Sequence, residues 1–232
     1  MKKLPVTLSK EEFRNGLILL AVQQLILPVL LGFGAALLPK LPSEAELNFA
    51  YFLINFISSL VIFRNFLWAE LDVALQKPSR VLSSVAIAYL IYYASSTALS
   101  YLIAWIDPNF FNLNDANLGQ MTQNQFAIMT VGTVILVPPA EELLFRGVLF
   151  NRLYAKRPII ACIVSVVCFC LVHLIGYIGQ YSPLAFFLAF LQYIPAGAAL
   201  CFAYIRSGTI FAPILFHTLI NAMAVAYQVF MR

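Results

Sequence analysis

Ile-Leu-Val-Pro-Pro-Ala-Glu-Glu-Leu-Leu-Phe-Arg-Gly-Val-Leu-Phe occupies residues 135–150, and the only charges in this apolar run are Glu141, Glu142 and Arg146. Such a run lies either in a large soluble core or in a bilayer, and the rest of the chain decides which. Of 232 residues, 62% are hydrophobic and only 10% are charged, where an average soluble domain carries about 25% charged residues. A hydrocarbon layer of about 30 Å takes around 20 helical residues, and the apolar runs here reach that length. The expected fold is therefore all-α, a polytopic membrane protein forming one integral membrane domain over residues 1–232. Placing an ionisable group in such a layer costs about 3 kcal/mol. The acidic pair is accordingly read as functional.

Working outward, seven spans can be drawn, near residues 16–38, 49–68, 82–105, 126–150, 158–178, 183–205 and 209–230. An interfacial or re-entrant helix near 66–77 would make eight. A cleaved signal would have a shorter apolar region and a small-residue cleavage site, so the first span is read as an uncleaved helix. Ser9 with Glu11 and Glu12 suits the cap of a short amphipathic helix ahead of it. Basic residues set the orientation. With the N-terminus in the cytoplasm, the inner segments hold Lys2, Lys3, Lys10, Arg14, Arg64, Lys77, Arg80, Arg152, Lys156, Arg157 and Arg206, and the outer ones only Lys40 and Arg232. Residues 106–125 carry Asp107 and Asp115 but no basic residue, as expected of a translocated connector.

The net charge of +4 is no sign of a nucleic-acid partner, because the basic residues alternate with spans instead of clustering. Cys162, Cys168, Cys170 and Cys201 all fall in apolar spans and read as small buried hydrophobes, not as a disulfide or metal framework. No repeat or linker divides the chain. Its compact build and short loops suggest a multi-pass protein of a bacterial cell membrane.

The proline pair Pro138-Pro139 removes backbone donors and predicts a kink or a fresh helix start near Ala140. On a continuing helix Glu142 and Arg146 stand at i, i+4 and can pair. Glu141 points about 100° away and has no local partner. The spacing thus assigns Glu142 to Arg146 and leaves Glu141 to the histidines, although Glu142–Arg146 can also be read as a purely structural ion pair. The two histidines lie in apolar helices: His173 one turn after Phe169, and His217 one turn before Asn221. At 1.5 Å per residue, Glu141 lies roughly 21 Å from Ala155, His173 roughly 22 Å from Pro158 and His217 roughly 12 Å from Thr209, so all three fall within the hydrocarbon layer.

Glu141-Glu142-x-x-x-Arg146, Phe169-x-x-x-His173 and His217-x-x-x-Asn221, in this order on successive apolar helices, resemble the CAAX-protease and bacteriocin-processing (CPBP, or Abi) family of intramembrane proteases. The motifs are complete and cover residues 141–221, within a motif-bearing core of helices over 126–230. The first three spans carry no recognisable motif. The resemblance implies a conical cavity between helices in which water is activated for peptide-bond hydrolysis. Glu141 is then the general base, His173 positions the water, and His217 with Asn221 stabilises the oxyanion. Glu142, Arg146 and Phe169 support them. A metal-free glutamic mechanism is expected. A zinc version would use Glu141, His173 and His217 as ligands with water in the fourth place.

Peptides or membrane-anchored proteins are the expected substrates, cleaved near the cytoplasmic side, with the lipid bilayer as the surrounding partner. One competing function is a non-catalytic membrane partner, such as a regulator of a sensor kinase or a self-immunity factor against a bacteriocin. A proton-coupled transporter is another, but it predicts an inverted repeat of broken helices, and none is visible.

Overall fold

A computed structural model describes residues 4–230. Lys2, Lys3 and Arg232, three of the charges used to orient the chain, lie outside those residues. Among the described residues there are nine helices, one short 3-10 turn at Ile175–Tyr177 and no strand. Six are long and apolar enough to cross a membrane: α1 (Lys10–Ala36), α2 (Glu44–Ile62), α4 (Pro78–Ile106), α6 (Phe126–Tyr154), α8 (Pro183–Ser207) and α9 (Phe211–Phe230, crossing over Phe211–Gln228). Between them lie α3 (Arg64–Gln76), α5 (Leu113–Asn124) and α7 (Pro158–Val172).

The protein is an all-α, polytopic membrane protein, and the expected count of seven or eight spans changes in three places. The fifth span stops at Val172, which leaves α7 with 15 residues, short of the length that crosses a bilayer unaided. The extra helix near 66–77 is present as α3. The outer connector contains the polar helix α5, started by Asn112, whose Oδ1 accepts from Asn114 N and Asp115 N at 3.0 and 3.3 Å.

Lipid is the solvent of the outward faces, where Val29, Phe33, Leu90, Trp105 and Ile159 are each more than 60% exposed. The central position falls to α6, most of which is buried. It packs on α1, α2, α7 and α9, while α8 packs on α4, α7 and α9. Gly132 lets α6 approach α2 closely, since a Cβ there would meet the Phe52 ring at 2.7 Å.

One end of the bundle is tied by buried polar groups. Ser9 caps α1 through a reciprocal pair with Glu12. The other Glu12 oxygen accepts from Phe66 N at 2.9 Å, so one carboxylate serves the N-termini of α1 and α3. The Ser9-capped turn runs directly into α1 and is not a separate helix. Glu70, wholly buried on α3, accepts from Tyr204 and from Ile210 N at 2.9 and 2.8 Å. Burial pushes its carboxyl up to about 7, against the pull of those donors. Asn151 bonds Tyr204, Leu8 N and the Val6 carbonyl, and Arg80 bonds the Arg206 carbonyl. The basic segments around 64–80, 152–157 and 206 therefore gather at this end. All four cysteines are free, with Cys170 and Cys201 buried.

Candidate active site

The proline pair acts differently from expectation. No helix starts at Ala140; α6 continues through it by wide π-turns at Val131–Leu136 and Leu143–Asn151. Val137 N–H reaches back five residues to Gly132 O, and Pro138 has no N–H to offer. The Thr133 carbonyl is thereby left without its helical donor. Asn221 fills the gap, its Nδ2 donating to Thr133 O at 2.8 Å. This bond pins α9 to α6 and leaves the second Asn221 N–H free. Such π-turns recur at functional sites.

Glu142 and Arg146 are both wholly buried and pair at 3.0 Å. Arg146 also donates to the Gly197 carbonyl at 3.0 Å. The Glu142 oxygen that accepts from Arg146 also meets His217 Nδ1 at 2.9 Å. This corrects the division of the acidic pair: Glu142 serves His217 as well as Arg146. The reason is rotational, because an i→i+5 turn holds more residues than an ordinary one and shifts every downstream side chain around the axis.

Each imidazole has a defined tautomer. A carboxylate only accepts, so His217 presents its Nδ1 proton to Glu142 and leaves Nε2 facing elsewhere. His173, the residue that ends α7, presents Nδ1–H to the Phe169 carbonyl at 2.7 Å, which again leaves Nε2 available. Phe169 is the hub. The Arg146 guanidinium stands 4.8 Å from its ring centre, His173 packs at 4.6 Å and His217 edge-on at 6.0 Å. The far face of His173 stacks on Tyr193 at 4.6 Å, whose hydroxyl donates to Asp115 at 2.8 Å. Burial raises the Asp115 carboxyl, opposed by that hydroxyl.

Glu141, His173, His217 and Asn221 line one cavity of about 890 Å³. It opens between α5, the start of α2 and the end of α9, with Asn114, Asn117, Glu44 and Gln228 on its wall. That is the end opposite the basic segments. Behind Glu141 is a second, narrow cavity of about 40 Å³ walled by Gln23 and Asn55. Its three buried oxygens, Gln23 Oε1, Asn55 Oδ1 and Glu141 Oε2, have no protein partner. A space of this size and polarity suits a bridging water. The first two membrane helices thus reach the site although their sequence shows no motif.

Residues 123–223 match the family described as type II CAAX prenyl endopeptidase Rce1-like. Through this segment the chain is similar to the CPBP family. No curated protein and no solved structure matches the chain. The matched segment runs from the end of α5 to α9 and contains all three motifs. The matched family model describes an endopeptidase, and the geometry above bears on how such an activity would work. Glu141, His173 and His217 offer donor types that suit zinc, and free Nε2 atoms held by second partners are usual in zinc ligands. Among the described residues, however, no three His, Cys, Asp or Glu side chains are gathered closely enough to hold an ion.

Proposed function

We propose that this protein is an intramembrane endopeptidase that hydrolyses peptides or membrane-associated proteins with a glutamate-activated water. The observation that carries the reading is the gathering of Glu141, two oriented imidazoles and Asn221 on one cavity inside an apolar bundle.

Glu141 takes a proton from water as the water oxygen bonds to the scissile carbonyl carbon. His173 Nε2 accepts the other water proton in a hydrogen bond and so orients the nucleophile. The carbonyl oxygen becomes an oxyanion. The free Asn221 N–H is one donor for it. His217 supplies a second when its Nε2 carries a proton, the ring being oriented by the Glu142 carboxylate at Nδ1. Glu141 then returns its proton to the leaving nitrogen as the C–N bond breaks. A positioned general base is worth about 10²–10⁴-fold, and one oxyanion donor about 10²–10³-fold. With the basic end in the cytoplasm of a bacterial cell membrane, the cavity opens on the outer face.

The deciding comparison is between membrane proteomes containing the wild type and Glu141→Gln, expressed equally. Cleavage products that vanish with Gln support the reading. A cellular role that survives the substitution identifies a non-catalytic partner, such as a sensor-kinase regulator or an immunity factor. The zinc version is favoured by the free Nε2 atoms alone; activity that survives stringent chelation, with no zinc by elemental analysis, refutes it.

A further inference from the structure

His173 sits where its helix gives out. It ends α7, and the chain beyond it turns away through the 3-10 turn at Ile175–Tyr177. One hydrogen bond, from Nδ1 to the Phe169 carbonyl at 2.7 Å, fixes one corner of the ring. A ring held at one corner can still swing, and Nε2, on its far side, moves with the swing. The Phe169 ring closes one face at 4.6 Å, tilted by 54°. Tyr193, from α8, covers the other at 4.6 Å and lies only 29° from parallel. The imidazole is thus held between a ring of its own helix and a ring of another.

Tyr193 is itself anchored. Its hydroxyl donates to Asp115 at 2.8 Å, accepts from Asn114 Nδ2 at 3.1 Å and stands 3.3 Å from Asn112 Oδ1. A phenol has one proton, and the shorter bond, to a carboxylate, takes it. All three partners belong to the cap and first turn of α5, ahead of the matched segment. Asn112 also donates to Gln192, the neighbour of Tyr193, at 2.9 Å. Packing alone needs only the tyrosine ring. A hydroxyl met by three groups of another helix fixes where that ring stands. Resting on the endopeptidase reading, we propose that Tyr193 is a positioning residue: anchored to the first turn of α5, its ring clamps the His173 imidazole against Phe169 and holds Nε2 where water is activated. A polar helix at the mouth of the cavity thereby sets the geometry of a residue inside it. The simpler role, a tyrosine that only docks α5 on α8, predicts lost stability with no change at His173.

The chain has two histidines, so histidine-selective nitrogen-15 labelling of the full-length protein in maltoside micelles gives two imidazoles to follow. His217→Gln assigns them. Tyr193→Leu removes both ring and anchor. Tyr193→Phe keeps the ring but cuts it from α5, and it is the milder variant should thermal melting show that Leu unfolds the protein. In the wild type His173 is expected to show one Nδ1–H tautomer. In Tyr193→Leu its two nitrogen signals should converge toward the tautomer average while those of His217 stay in place, with Tyr193→Phe between. On a peptide that the wild type cleaves, kcat should fall by up to about 10²-fold in Tyr193→Leu at constant KM, because misplacing a positioned group costs turnover and not affinity.

An unchanged His173 spectrum in folded Tyr193→Leu overturns the clamp. A raised KM with kcat intact also overturns it, by making Tyr193 a wall that touches substrate. Tyr193→Phe identical to the wild type in spectrum and turnover overturns the anchoring by α5. The spectra need no substrate, so the two readings fail separately. A wild type that cleaves nothing sinks the endopeptidase reading, while signals that converge at His173 alone still support the clamp.

Discussion

Replacing Glu142 separates fold from chemistry. One Glu142 oxygen accepts from Arg146 at 3.0 Å and from His217 at 2.9 Å, and both charged side chains are wholly buried. Glu142→Gln keeps the shape and an acceptor oxygen but leaves the Arg146 guanidinium without an anion. Breaking a buried pair from one side costs about 3–5 kcal/mol, which lowers the melting temperature by about 10 °C for a chain of this length. Removing both charges, as Glu142→Leu with Arg146→Met, removes the stranded charge. Apolar replacement of a buried pair is often neutral or stabilising by about 1–4 kcal/mol, so the double variant should melt near the wild type. The Gly197 carbonyl it releases lies within the regular helix α8 and has a backbone donor available.

Activity should not follow stability. In both variants His217 has lost the Glu142 carboxylate that orients its ring at Nδ1. Turnover is expected to fall about 10²–10³-fold in each. Melting followed by tryptophan fluorescence in detergent, beside peptide cleavage at matched folded concentration, reads the two quantities. A double variant as unstable as the single one would refute the stranded-charge argument. A double variant that recovers activity would show that Glu142 acts only by balancing Arg146, and that its bond to His217 has no part in the chemistry.

Three further outcomes follow from the same structure. Asn221→Asp puts a carboxylate against the Thr133 carbonyl and removes both amide donors; cleavage should drop by about 10² or more, with a further loss of stability on melting. Phe169→Leu keeps an apolar side chain but loses the face on which Arg146 and both histidines pack; a loss of about 1–2 kcal/mol in stability is expected, with a larger effect on turnover than an equal loss made elsewhere in the bundle. Glu70, whose carboxyl is pushed up to about 7 from 4.5 by burial, binds more protons folded than unfolded between those values. Its share of stability is therefore full below pH 4.5 and is lost as pH rises through 7, by about 3 kcal/mol in total. Melting temperature against pH should show that decline, and Glu70→Gln should flatten it.

What could be read ahead of the structure divides along a physical line. Relations within one helix turn were legible: Glu142 with Arg146, and Phe169 beneath His173, follow from the i, i+4 geometry alone. Apolar length and the segregation of arginines located the spans and gathered the basic segments at one end. Relations between helices were not legible, because they depend on rotational phase and on where helices splay. The π-turns on either side of Glu142 shift its phase, and nothing in a 3.6-residue reading anticipates that His217, 75 residues away, meets Glu142. One signal was present and underused. Two prolines in a membrane helix must orphan backbone carbonyls, and a buried side-chain amide must then answer one of them. Asn221 was an amide facing the proposed site, but a regular helix would orphan the carbonyls of Val134 and Ile135, and only the π-turn moves the gap to Thr133. Gln23 and Asn55 offered no comparable signal. A glutamine and an asparagine in apolar spans become meaningful only once Glu141 is seen to share their cavity. Their part in the site is what ties the apparently featureless first helices to the chemistry of α6.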